Sequence, residues 1–182
     1  LVQAAQRPDA FVVRGALTER VRSKRTVGAP PWTFDGWSAQ RLLTAGHGDA
    51  GTLDDAPQRW SCFDLDDAML PDGWSLLEDP AAAVRWVVDN LFPPEFRGVS
   101  VVYQFSSSAG VKGDPREVKV HLWYILDEPL DSVTLREWAK WWNQERGAGK
   151  VVDWQVFVPT QPHYTAPPRF TNGAVDPFPD PS

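Results

Sequence analysis

One short stretch constrains this chain more than any other: Trp60, Ser61, Cys62, Phe63, Asp64, Leu65, Asp66 and Asp67 in succession. Side chains alternate across a β-strand, so Asp64 and Asp66 share one face while Phe63 and Leu65 point into a core. Two like charges fixed side by side repel. A divalent cation is the usual reason to keep them together, because carboxylates are hard oxygen ligands for Mg²⁺ or Mn²⁺ and such ions serve phosphate chemistry. The plainer alternative is a strand running into an acidic turn with both acids solvated. Alternation turns Asp67 to the other face and sets it aside.

The chain has 182 residues, enough for one well-buried core or two small lobes of one domain. Its 42% hydrophobic content argues against a disordered or fibrous class. The ten tryptophans are scattered, and no internal repeat is present. No apolar run is long enough to cross a bilayer, and the first residues lack a signal-peptide layout, so no membrane and a cytoplasmic location are expected. A lone cysteine, Cys62, fits a reducing compartment and suits a small buried strand residue better than a nucleophile. The net charge of −6 cuts against a simple nucleic-acid binder, although a local basic strip can coexist with it.

Along the chain, residues 1–8 read as a fraying start and 11–17 as a first strand. A basic patch comes next at Arg20, Arg22, Lys24 and Arg25, read as a solvated loop or a phosphate-backbone contact. A helix is expected over 36–45, carrying Trp37, Leu42 and Leu43 and closed by Gly46, then a loop over 47–57. Pro71-Asp72-Gly73 signals a turn, and Asp79 caps a helix that Pro80 opens and Pro93-Pro94 ends. Residues 100–105 read as a buried strand and 120–126 as a second strand, together an antiparallel hairpin, the first running into Ser106-Ser107-Ser108-Ala109-Gly110. On the second strand Lys119, His121 and Trp123 share a face, opposite Val120, Leu122 and Tyr124. Thr134 to Glu137 forms a capping box, with Val133 stapled to Trp138, for a helix ending near Gly147. Residues 151–157 read as the last clear strand, and 176–182 as running out of the domain.

Three apolar strands thus each deliver a polar group: Asp64 with Asp66, then His121, then Asp153. Side by side in one sheet, three acids could hold one or two divalent metals, the clamp used in phosphoryl or nucleotidyl transfer. His121 suits a phosphate. Ser106 and Ser108, with Gly110 behind, could offer hydroxyls and backbone N–H groups to a triphosphate, and Lys112, Arg116 and Lys119 could neutralise charge. Each piece alone has a plainer reading. A lone strand histidine is commonly a satisfied structural residue, and serines before a glycine commonly make a turn.

Taken in order, the Phe-Asp-Leu-Asp strand, the Ser-Ser-Ser-Ala-Gly turn with its Lys-Val-His strand, and the Val-Val-Asp strand resemble the three motifs of the archaeo-eukaryotic primase superfamily. That pattern is hydrophobic-Asp-x-Asp, small-x-His and hydrophobic-Asp, matched here by Asp64 and Asp66, His121, and Asp153. Lys119 departs from it where a small residue is usual. The stretch 161–168, Gln-Pro-His-Tyr-Thr-Ala-Pro-Pro, is similar to the segment after the third motif in plasmid, phage and prophage replication primases.

The resemblance covers 9–172, with 173–182 left as a proline-rich tail or linker. It implies an α/β (α+β), two-lobed primase-polymerase core with an antiparallel sheet related to the RNA-recognition motif and flanked by helices. The activity implied is DNA primase or DNA-directed polymerase, using Mg²⁺ or Mn²⁺ to join nucleoside triphosphates on a single-stranded DNA template. Asp64, Asp66 and Asp153 would hold the metals. Ser106, Ser108 and His121, with Lys112 or Arg169, would bind the nucleotide. Family members often need a helical C-terminal domain or a helicase partner, so a core drawn from a longer replication protein is one expectation and a stand-alone core the other.

Two rivals remain. Residues 63–70 also resemble the nucleophile loop of haloacid-dehalogenase-type phosphatases, with Asp64 as nucleophile and Asp66 as general acid. Ala68 stands where that family usually has Thr or Val, and Val118 stands where a late second acid belongs. A non-catalytic single-stranded nucleic-acid-binding module, stacking bases on tryptophans, is the other.

Overall fold

In a computed structural model of the protein, residues 11–23, 41–111, 113–147 and 150–178 are described. Among them, the elements run in the order β1 (Phe11–Val12), β2 (Ala16–Leu17), α1 (Glu19–Arg22), α2 (Thr44–His47), β3 (Leu53–Asp54) and β4 (Gln58–Met69). Then come α3 (Pro80–Leu91), β5 (Val102–Phe105), β6 (Glu117–Leu130), α4 (Ser132–Arg146) and β7 (His163–Tyr164). The protein is α+β with antiparallel sheets. The main sheet has the order β4-β6-β5, so the longest strand is central. The short pairs β1-β7 and β2-β3 make two small sheets of their own. No described helix is long and apolar enough to cross a membrane.

Alternation on the sheet separates two faces. Phe63, Leu65, Val118, Val120, Leu122 and Tyr124 are buried on the face covered by α3 and α4. Helix α3 starts where Asp79 Oδ1 accepts from the Ala82 N–H at 2.8 Å with Pro80 in the first position, and it buries Ala83, Val84, Val87 and Val88. The centre of this core is aromatic. Phe63 meets Phe92, Phe96, Tyr124, Trp138 and Phe157 edge-on, with ring centroids 5.4 to 5.7 Å apart.

Several boundaries differ from those expected. The strand expected over 11–17 is two strands, because Arg14 turns inward between them. Its side chain is fully buried, donating to the Trp60 carbonyl and, at 2.7 Å, to the Leu130 carbonyl. The basic patch after it is helix α1, with Arg20 bonded to the Ala50 carbonyl at 2.8 Å and Arg22 paired with Glu19 at 3.4 Å; Lys24 and Arg25 lie outside the described residues. Of the helix expected over 36–45, residues 36–40 also lie outside them. The described part is the short α2, which contains Gly46 and ends at Gly48. Helix α4 is capped one turn earlier than the Thr134 box: Asp131 Oδ1 accepts from the Thr134 N–H at 2.7 Å, and Val133, expected to staple, is 60% exposed. Strand β5 is an edge strand with Val102 and Tyr103 exposed, where a buried one was expected.

The segment 151–157 is not a strand. Asn143 of α4 captures it, accepting from the Val151 and Val152 N–H groups at 2.9 and 3.0 Å and donating to the Val152 carbonyl at 2.9 Å. Asp153 then caps a 3₁₀ turn over Trp154–Phe157. The tail beyond 173 does not lead straight away either. Phe178 stacks on Phe105 at 4.3 Å, closing over Gly110.

Because five rings converge on Phe63, Phe63→Ala is expected to destabilise the protein by about 3–5 kcal/mol. Urea denaturation followed by tryptophan fluorescence measures this; a loss under about 1 kcal/mol would contradict the hub.

Candidate active site

The second face of the main sheet carries the polar residues. Register pairs Asp64 with His121 and His121 with Gln104, so the three make one row across β4, β6 and β5. The row below it, Cys62, Trp123 and Val102, is apolar. Segment β7 lies over this lower part: the His163 ring sits edge-on to Trp60 and Trp123, at 5.9 and 5.6 Å. Gln104 ties the residues after β7 down by donating to the Ala166 carbonyl at 2.9 Å. The acid-histidine row is therefore left at the border between a covered and an open part of the face.

His121 Nε2 lies 3.2 Å from Asp64 Oδ1, with the two side chains 25% and 17% exposed. Neither Asp64 Oδ1 nor His121 Nδ1 has a hydrogen-bond partner, although both atoms are buried. Asp153 arrives from the outer side of β4. Its backbone N–H donates to the Asp64 carbonyl at 2.9 Å, extending the sheet edge by a single bond. The backbone of the third acid thus adjoins that of the first, on a loop held by Asn143 rather than on a strand. The third strand of the sheet is β5, which contributes Gln104 instead.

Asp66 sits where the strand slips register. Leu65 pairs with Val120 and Ala68 with Val118, so Asp66 and Asp67 together oppose Lys119 in a bulge. Leu65 and Ala68 are both buried, and the two acids between them are both exposed. The alternation that set Asp67 aside therefore fails here, and Asp67 stays with the acids. Partial desolvation against the sheet pushes the Asp66 carboxyl above its ordinary range, and the charges of Asp64 and Asp67 push it further; Lys150 and His121 oppose them. Lys119 itself is paired with Glu117 at 3.2 Å.

The two oxygens of Asp153 are engaged separately. Oδ1 accepts from the Gln155 N–H at 2.9 Å, and Oδ2 lies 3.0 Å from Lys150 Nζ. Among the described residues, no three Asp, Glu, His or Cys side chains are gathered closely enough to hold a metal ion. The donors nonetheless fit a hard divalent cation by their chemistry. Asp64, Asp66 and Asp153 are all carboxylates, hard oxygen donors; Asp64 Oδ1 is engaged only by its 3.2 Å contact with His121, and Asp66 carries repulsion that a cation would relieve.

The serine turn takes a plainer part than expected. Ser106 N–H continues the ladder to the Lys119 carbonyl at 3.0 Å, while the Ala109 and Val111 N–H groups bond back to Ser106 and Ser108. The two hydroxyls, 3.3 Å apart, remain near the open face. Gly110, at φ +68°, is required by packing, since a Cβ there would lie 2.7 Å from Leu77 Cδ2 and 3.0 Å from the Phe178 ring. Arg116 is spent on Asp114, at 3.0 Å, and on Asp72. Lys112 lies outside the described residues, and Arg169 is exposed three residues past the tethered Ala166.

Sequence reasoning missed Gln104, Asn143 and Lys150, and it met His163 only as part of the 161–168 stretch, without a role of its own. Of the three missed residues Gln104 carried a signal, a polar residue between Tyr103 and Phe105 in a strand paired with the histidine strand.

His163 is 4% exposed, and burial, helped by the positive charges of His121 and Arg14, lowers its pKa from 6.5 to about 4. The unfolded chain takes up this proton first as pH falls. The stability contribution is therefore complete above about pH 6.5 and is lost towards pH 4, on the order of 2–3 kcal/mol. Chemical denaturation at about pH 7 and about pH 4.5 should show that loss, and His163→Gln should shrink it; an unchanged pH slope in the variant would contradict the assignment. Comparisons with protein-family models, curated proteins and solved structures return no match, so the chemistry of the chain's own residues carries the functional reading.

Proposed function

We propose that the protein is a metal-dependent, template-directed nucleotidyltransferase, a primase-polymerase core that makes or extends primers on single-stranded DNA. One observation carries this: the Asp64 and His121 side chains lie 3.2 Å apart, the backbone of Asp153 bonds to that of Asp64 at the sheet edge, and Asp66 stands two residues on in the bulge. Three antiparallel strands with two helices on one face are compatible with a sheet related to the RNA-recognition motif, as one lobe of a two-lobed core.

In this reading Asp64, Asp66 and Asp153 would draw together to hold Mg²⁺ or Mn²⁺, which would supply polarisation of phosphoryl oxygens and neutralisation of charge in nucleotidyl transfer. His121, whose Nε2 lies 3.2 Å from Asp64, is the proposed ring contact for the nucleoside triphosphate. Ser106 and Ser108 offer hydroxyl donors at the end of β5, and exposed Arg169 offers a guanidinium for phosphate; Lys112 is the remaining proposed nucleotide contact. Gln104 and His163 hold the 163–166 segment across the face and so border the space open to substrate. Weak template grip by so acidic a chain fits a helical domain or helicase partner supplying the rest, in a cytoplasmic replication system.

A phosphatase nucleophile belongs in a loop, and Asp64 lies well inside a 12-residue strand, paired to His121. A silent base-stacking module would have to use the exposed Trp74 and Trp141, since Trp60 and Trp123 on the sheet face are occupied by His163.

With Mn²⁺, labelled nucleotides and a primed single-stranded template, the protein is expected to extend the primer. Asp64→Ala and Asp66→Ala should each reduce extension on the order of a hundredfold or more. Extension that survives both substitutions overturns the proposal. Template binding without synthesis would favour the silent module, and phosphomonoester hydrolysis alone the phosphatase.

A further inference from the structure

Lys150 meets the acids from the side opposite His121. Its ammonium lies 3.0 Å from Asp153 Oδ2, the oxygen that the Gln155 N–H leaves free. Its charge also reaches Asp66, where it offsets the repulsion from Asp64 and Asp67. The pair is half-exposed, with the lysine side chain 48% and the aspartate 20% accessible, so the contact is easily exchanged for water. Asp153 does not depend on this pair for its position. Its N–H is fixed to the Asp64 carbonyl, and the two residues before it are held by Asn143.

We propose that Lys150 is a built-in counter-ion: its ammonium holds the carboxylate of Asp153 in the cation-free protein and must withdraw before that oxygen can ligate a divalent metal. It thereby sets the cation concentration at which the site loads. This role rests on the metal-dependent chemistry proposed above. A lysine suits the task because it is a compact point charge on a flexible stem, able to leave without disturbing the backbone. An arginine at the same place would keep the charge, and a methionine would keep the stem and remove it.

The test is Mn²⁺ binding to the whole chain, followed by calorimetry or by the loss of the free-ion paramagnetic signal, with no nucleotide or template present. Lys150→Met is expected to bind Mn²⁺ about two- to fivefold more tightly than the wild type, the range of a half-exposed ion pair. Lys150→Arg should stay near the wild type. Lys140→Met, which removes an equal charge paired to Glu137 at 2.7 Å, should have a smaller effect than Lys150→Met. In an Asp153→Asn background, Lys150→Met should lose its advantage. Equal or weaker binding by Lys150→Met, or an equal gain from Lys140→Met, overturns the counter-ion role while leaving the metal site standing. A wild type that binds no Mn²⁺ overturns the metal-dependent reading itself, and the counter-ion role with it. Lys150→Gln provides the same comparison if the methionine variant folds poorly.

Discussion

The contact between Phe63 and the five rings around it is the fixed point of this protein. It joins β4 and β6 to both long helices and to the turn after Asp153. The next residue is Asp64, so the side chain that anchors the core also orients the acid on the reverse face. In a strand these two directions are rigidly opposed. The precision of the candidate site is therefore inherited from packing on the far side of the sheet, where burial resists small displacements.

Around that fixed point the remaining site groups are held by hydrogen bonds rather than by burial. Asn143 sets the loop before Asp153, Gln104 holds the segment at Ala166, and Asp153 caps its own turn. The acids themselves lie where the ladder is irregular. A bulge gives β4 two acids facing one lysine, and it also relaxes the rule that neighbouring side chains point apart. A regular strand would present fewer carboxylates in the same length.

The β4 strand, its inward Phe63 and Leu65, and the shared face of Lys119, His121 and Trp123 were legible because period-two alternation is a local property. The Asp79 cap was legible for the same reason. What failed was non-local. Residues 151–157 have strand composition, but Asn143, eight residues before Val151, offers their backbone a better set of partners. The segment 11–17 was divided by Arg14, whose carbonyl partners lie 46 and 116 residues away. Lys150 left no trace at all, since a lysine three residues before an aspartate signifies little until the loop between them is folded.

Buried Arg14 bears on how the chain assembles. It joins a residue near the start of the described chain to the beginning of β4 and the end of β6, and β1 pairs with β7 from the far side of the sequence. Closing loops of this length costs entropy before any contact repays it, so these unions belong late in folding. Until they form, the lower half of the sheet face, with Trp60 and Trp123, lies bare to solvent. The same late closure that seals the face would leave a slowly folding or truncated chain sticky there, and would make its yield sensitive to temperature and protein concentration during refolding.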